Sequence, residues 1–311
     1  MARSRGRLSA HRYFLSGQAY ILPCGSRRAV NGEDGMFIAV RQCCAQESNA
    51  RSLEKLKCIF MHKPSFGMEY IGEGRARYAL ATLHGERGWR KLGRICGKGA
   101  ARIVSPSPVD ERYAGRFEPS VFLRSMLFNT ALRLTDSLEK RPDIALVDVR
   151  GVCAGFAGEL ALSCRRLRVL TCRPERYGAL CRRLLGEYGA LITVSEAAGA
   201  VGEEVCLMGD GELPSEGITL RTVGRPKRLN ELLLREPETP EWAKPLIPPD
   251  FSPRELLGAM YELGREERCG ELCAATAEDF AGNILPFDEA VRAAFARIGR
   301  MKTGINGIFY K

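Results

Sequence analysis

Histidine is scarce in this chain. Its 311 residues include three, His11, His62 and His84, and all of them precede the core of alternating strands and helices. No HExxH, GxSxG or Ser-His-Asp set can be assembled, so hydrolysis by those routes has no support. No CxxC pair occurs among the 12 cysteines, which argues against a zinc ribbon. Cys269 and Cys273 sit four apart, but two thiolates without a His or a further pair do not make a zinc site. No metal is expected. Long apolar runs are also missing: none approaches the ~20 residues needed to span a membrane. Arg3, Arg5, Arg7 and Arg12 precede the first acid, Glu33. The stretch Tyr13–Cys24 is broken by Ser16, Gly17 and Gln18, which makes a poor signal segment.

Hydrophobic residues make up 45% and charged residues 27%, enough apolar material for a substantial core. The length suits one or two domains, at roughly 100–200 residues each. The formal net charge is +10. Residues 1–67 hold eleven Lys and Arg against four Asp and Glu, and the rest of the chain is near neutral. A nucleic-acid face should show a basic stripe with aromatics on the folded unit. None is visible in the sequence, so nucleic acid is not indicated. Cys153, Cys164, Cys172, Cys181 and Cys206 lie inside predicted helices and strands and read as small apolar residues. Reduced cysteines point to a cytoplasmic protein.

Along the chain, residues 1–67 show no sustained period beyond short strands at Phe37–Val40 and Cys58–Met61. They read as a poorly ordered or loosely attached segment. A misassigned start is the third option, with Met68 favoured over Met36 and Met61. A helix is predicted over Ala76–Cys96, stopped by Gly97 and Gly99 with Lys98 at its negative end. A strand follows at Ala101–Val104, then a long helix from Pro119 or Ser120 through Leu138. Strands at Ile144–Val149, Arg168–Cys172, Leu191–Val194, Val205–Met208 and Ile218–Val223 alternate with helices at Gly155–Arg165, Pro174–Tyr188 and, briefly, Glu196–Ala200. That alternation implies a parallel sheet covered on both faces, with Ala101–Val104 joining it on the far side of its centre. Pro226–Pro253 reads as a proline-rich linker around a short helix, Leu229–Leu234. Ser252-Pro253-Arg254-Glu255 opens a C-terminal helix with a capping box, and another helix runs about Phe287–Ile298.

The first strand of the alternating region ends in a glycine-bearing turn, Gly151-x-x-x-Gly155-x-x-Gly158. Glycines there would let the backbone approach a phosphate at a helix N-terminus. The spacing departs from GxGxxG, since Cys153 holds the middle position, and from GxxxGxG, since Ala157 stands where Gly is required. A tight turn with close helix–sheet packing is the stronger reading of these glycines. An acid should end the second strand to hold ribose hydroxyls. Arg173 stands there, which argues against NAD and towards NADP. Asp148 before the turn invites comparison with S-adenosylmethionine-dependent methyltransferases, which also call for an acid after the second strand. Ligands bind along the carboxyl edge of such sheets. The candidate ligand residues are therefore Gly151, Gly155 and Gly158, with Arg150 and Arg173 for an anion. Ser195, Glu196 and Asp210 are candidates for hydroxyls or proton transfer. Gly93-x-x-x-Gly97-Lys98-Gly99 is one residue short of a P-loop, lacks its Ser/Thr and precedes a strand, so it reads as a helix cap.

Leu92-Gly-Arg-Ile-Cys-Gly97, Ala101-Arg-Ile-Val104, Arg168-Val-Leu-Thr-Cys-Arg-Pro-Glu175 and Leu184–Gly189 resemble a group of bacterial proteins of unassigned function with a Rossmann-like core. The resemblance implies the fold and brings no catalytic residue. The expectation is a three-layer Rossmann-like α/β parallel sheet over residues 68–225, with residues 226–311 as linker and helical C-terminal extension. The first functional expectation is a nucleotide-type ligand, NADP in preference to NAD, with possible redox chemistry. A non-catalytic binding or scaffold protein is the alternative, and a methyltransferase the third.

Overall fold

The computed structural model describes residues 37–42, 66–96, 102–109, 112 and 114–308. The strand expected at Cys58–Met61, the cap at Gly97–Gly99 and the candidate starts Met36 and Met61 lie outside these residues. The described chain begins with β1 (Phe37–Gln42) and β2 (Phe66–Ile71), which flank β3 (Tyr78–Leu83). β1 runs parallel to β3 and β2 antiparallel. The helix α1 (Gly85–Cys96) follows. The helix expected from Ala76 thus starts nine residues late, and a strand takes its first part. Tyr-Ala-Leu-Ala-Thr-Leu is a short apolar run of the kind that periodicity alone cannot assign. Its place between two partner strands decides it.

The small sheet has two apolar faces. Phe37, Ala39, Tyr78 and Leu80 belong to the main core of the protein. Ile38, Val40, Ala79, Ala81 and Leu83 pack with Trp89 and Leu92 of α1 in a second core. This is the period of two that a strand imposes. Tyr78 donates its hydroxyl to the carbonyl of Leu246 at 2.6 Å, and Arg41 pairs with Asp250 at 2.7 Å. Among the described residues β4 (Arg102–Ile103) pairs only with β5 (Gly115–Arg116), and Val104 exchanges backbone bonds with Ile38 and Val40. The Ala101–Val104 strand therefore extends the small sheet beyond β1 and does not join the large one.

After α2 (Ser120–Ser137) come β6 (Asp143–Asp148), α3 (Ala157–Ser163), β7 (Arg166–Leu170), a 3-10 turn (Pro174–Tyr177) running into α4 (Gly178–Tyr188), and β8 (Ile192–Ser195). β9 (Val205–Asp210), β10 (Ile218–Arg221) and β11 (Glu231–Leu234) follow, then α5 (Pro253–Glu262), β12 (Thr276–Glu278), β13 (Ile284–Pro286) and α6 (Phe287–Ile308). The large sheet has the order β13-β12-β11-β10-β9-β6-β7-β8. It is parallel from β11 to β8, with β12 and β13 antiparallel at one edge. The six parallel strands follow the 3-2-1-4-5-6 order of a doubly wound sheet, with β6 as its first strand. The fold is Rossmann-like α/β, with helices at its C-terminus.

The two faces of this sheet differ. Ile144, Leu146, Leu167, Val169, Val205, Leu207, Ile218, Leu220, Leu232 and Leu234 face the main core, which takes the buried residues of α2 through α6. The other face carries Ala145, Val147, Leu170, Cys206 and Met208, covered by Val201 with Ala197 and Leu213 alongside. Thr219, Arg221 and Glu231 are the alternate residues of β10 and β11 and are also buried. The three layers are thus helices, sheet and a layer of connecting segments. The connection 211–217 must run back about 17 Å to bring Ile218 level with Val205, while seven helical residues span about 10 Å. A helix is therefore too short to make the return. The helix expected at Glu196–Ala200 is likewise absent. Gly199 has φ +78°, and the backbone of Val201 bonds to Pro214 and Glu216. The helix expected at Leu229–Leu234 is β11, whose leucines are buried on both faces of the sheet. At α5 the expected capping box does not form. Glu236 accepts from the amide of Arg254 at 3.2 Å, and Glu255 pairs with Arg116.

Candidate functional site

The strand order reverses between β6 and β9, and their carboxyl ends are where ligands of such sheets bind. A register shift after Val147 brings Asp148 opposite Asp210. Asp148 is fully buried, at 0% exposure. Its oxygens accept from the backbone amides of Val152 at 2.9 Å and Cys153 at 2.8 Å, and from the Tyr177 hydroxyl at 2.5 Å. Burial pushes the Asp148 carboxyl above the usual range against these three hydrogen bonds, and the neighbouring Asp210 pushes it the same way. Burial also raises Asp210, but hydrogen bonds from the Arg150 side chain and amide outweigh it and hold that carboxyl low. Tyr177, wholly buried, is raised by burial and by its bond to Asp148. The Cys153 thiol is raised by burial and then by Asp148, so it remains protonated and unreactive at neutral pH.

The glycines make this turn compact. Gly151 has φ +69°, and a Cβ there would lie 2.8 Å from Cγ of Arg176 and 3.2 Å from Cβ of Arg173. Gly158 lies under Arg183 and Leu180, at 3.3 and 3.5 Å by the same measure. Gly155 faces open space. A Cβ on Gly209 would come within 2.6 Å of the Cys153 sulfur. Phe156 stacks on Phe128 of α2, with ring centroids 5.4 Å apart. The residues around the turn therefore pack against one another.

Of the candidate residues, the structure brings Gly151, Arg150, Arg173 and Asp210 together. Arg150 pairs with Asp210. The Arg173 guanidinium is exposed, 4.0 Å from Glu175. Ser195 and Glu196 are not part of this group. Ser195 ends β8 and Glu196 follows it, three strand spacings or about 14 Å from β9. The Ser195 hydroxyl accepts from Arg168 at 3.2 Å, and Glu196 is exposed. Asp148 and Tyr177 are the residues that sequence reasoning leaves out of the site. An acid closing a strand just before a glycine turn is the available signal, because Asp side chains anchor nearby backbone amides.

The first βα turn of a dinucleotide fold offers its amides to a pyrophosphate. Here the amides of Val152 and Cys153 are taken by Asp148, so these two are not offered to a pyrophosphate. No family model matches the chain, and no curated protein matches it. Among solved structures, the chain is similar to L-tryptophan dehydrogenase from Nostoc punctiforme, at 14% identity and a TM-score of 0.28. The likeness covers 83% of this chain and 76% of that one. A TM-score that low carries no argument about activity.

Proposed function

We propose that this chain is a non-catalytic binding protein built on a Rossmann-type frame, and not a dinucleotide-dependent oxidoreductase. The observation that carries this reading is the Asp148 carboxyl seated on the amides of Val152 and Cys153. Those bonds fix the turn from within the protein. The Tyr177 hydroxyl closes the remaining approach to Asp148. The methyltransferase reading loses support from Arg173, which stands after β7 where those enzymes usually carry an acid. The free cysteines Cys153, Cys164, Cys172, Cys181, Cys206, Cys269 and Cys273 suit a reducing, cytoplasmic setting. Among the described residues, no helix is long and apolar enough to cross a membrane.

A second reading keeps a small anionic ligand. Arg176 is exposed beside Arg173 at the rim of the turn, and among the described residues it has no ion-pair partner. Thermal melting of the full chain separates the two. A ligand at 100 times its dissociation constant stabilises by about 2.7 kcal/mol, or roughly 5 °C for a protein of this size. NADPH, NADH, ATP and S-adenosylmethionine should each leave the melting temperature unchanged. A rise with NADPH or NADH would overturn the proposal and restore the dinucleotide reading. A rise with inorganic phosphate alone, lost in Arg176→Ala, would select the small-anion reading.

A further inference from the structure

The positive charge of this protein is segregated. Residues 1–98 carry 18 Lys and Arg against 7 Asp and Glu, a net of +11. Residues 99–311 carry 29 against 30, a net of −1. The described part of the first stretch, residues 37–42 and 66–96, which builds the small sheet and α1, holds seven Lys and Arg against three Asp and Glu, a net of +4.

Within that stretch the fold sets an aromatic surface among the cations. Phe66, Met68 and Tyr70 of β2 pair with Leu83, Ala81 and Ala79 of β3. Paired residues of an antiparallel ladder point to the same side, so these three share the face on which α1 packs. α1 shields Phe66, and the Lys91 ammonium lies 5.1 Å from its ring centroid. Beyond α1 the face is open: Met68 is 36% exposed and Tyr70 56%. The Arg77 guanidinium lies over one face of the Tyr70 ring, 4.9 Å from its centroid, which leaves the other face for a base. The outer side of α1 presents Arg87, Arg90, Lys91 and Arg94, all exposed. Arg90 pairs with Glu86. Arg87 and Arg94 have no ion-pair partner among the described residues.

We propose that this surface, centred on Tyr70 and flanked by Arg77, Arg87, Lys91 and Arg94, binds single-stranded nucleic acid. An exposed ring on a sheet stacks a base, and cations at its margin neutralise phosphates on either side. An acidic peptide would use the cations and leave the ring idle. An anionic membrane would call for a wider aliphatic wedge than Met68, Tyr70 and Ile95 supply. The proposal stands apart from the turn after β6, so its failure leaves the reading of that turn intact.

The test is fluorescence anisotropy of labelled oligouridylate and oligothymidylate, each about 20 nucleotides long, titrated with the full chain. Binding should weaken with salt, each phosphate contact adding about −0.7 to the log–log slope. Tyr70→Ala should weaken binding about 10-fold with little change in slope. Arg87→Gln with Arg94→Gln should flatten the slope by about 1.4. These side chains are exposed, so circular dichroism should report an unchanged fold. A preference between the two oligomers would assign RNA or DNA. Absence of binding at low salt would overturn the proposal, as would binding that neither variant alters. Capture by phosphatidylserine vesicles, without oligonucleotide binding, would assign the surface to membranes and overturn it as well.

Discussion

The turn after β6 and the outer side of α1 both present hydrogen-bond donors, and they hold them in opposite states. At the turn, the amides of Val152 and Cys153 and the hydroxyl of Tyr177 converge on one internal carboxyl. On α1, Arg87 and Arg94 project from the helix with no ion pair among the described residues. The turn has the sequence dressing of a ligand site, a strand followed by spaced glycines. The helix has none. What separates them is satisfaction: a donor already bonded inside the protein must be released before it can serve a ligand, and a hydrated guanidinium need not be.

Three perturbations would break or sharpen that contrast. The largest concerns the attachment of the basic unit to the core. A chain beginning at Met68 lacks β1, and with it the buried side chains of Phe37, Ile38 and Val40. Losing them should cost about 5 kcal/mol, together with one full edge of β3. Urea unfolding of the two chains measures it, and equal midpoints would show the small sheet to be independent of the rest. Next comes the turn itself. Asp148→Ala strands one buried amide, one half-buried amide and a buried hydroxyl and should cost about 3 kcal/mol, whereas Tyr177→Phe should cost about 1 kcal/mol. If Asp148→Ala were neutral in urea unfolding, the turn would be held by something else and its amides would be open to a ligand.

The smallest effect is acid dependence. The bidentate hydrogen bonds of Arg165, with Arg166 alongside, hold the Asp143 carboxyl below its usual range. A lowered carboxyl contributes stability that is present at neutral pH and lost as pH falls below about 4. Asp148 has the opposite sign. Its raised carboxyl takes up a proton more readily in the folded state, so acid relieves a cost there. Asp143→Asn should therefore remove about 1 kcal/mol at neutral pH, a modest figure because both arginines are largely exposed. It should also flatten the acid limb of the urea midpoint plotted against pH. A parallel downward shift at every pH would mean that the contribution of Asp143 is packing and not charge.

The alternation of β6, α3, β7, α4, β8 and β9 is legible in the sequence because each element carries its own period and Gly189 marks a helix end. That no helix covers the second face among the described residues is not, because it depends on how far each connection must travel. Tyr78–Leu83 and Leu229–Leu234 are apolar runs too short to declare themselves, and both become strands through partners distant in the chain. At the site, the tight-turn reading of Gly151 and Gly158 can be made from spacing alone. The bond from Asp148 to residues four and five places on cannot, since it needs the turn's own geometry. The basic surface is obscured by a boundary at residue 67. That cut separates Phe66 from Tyr70 and leaves Arg77, Arg87, Lys91 and Arg94 averaged into a neutral remainder.

The register of β10 is set where the strand begins. Gly217 sits so close to the carbonyls of Glu203 and Glu204 that a side chain has no room, and the next amide, that of Ile218, donates to the Glu204 carbonyl at 3.0 Å. A slip of β10 by one position would exchange its two faces. Ile218 and Leu220 would then leave the helix side, and Arg221 would point into it. The bare backbone at residue 217 is thus part of what keeps a guanidinium out of the hydrocarbon interior.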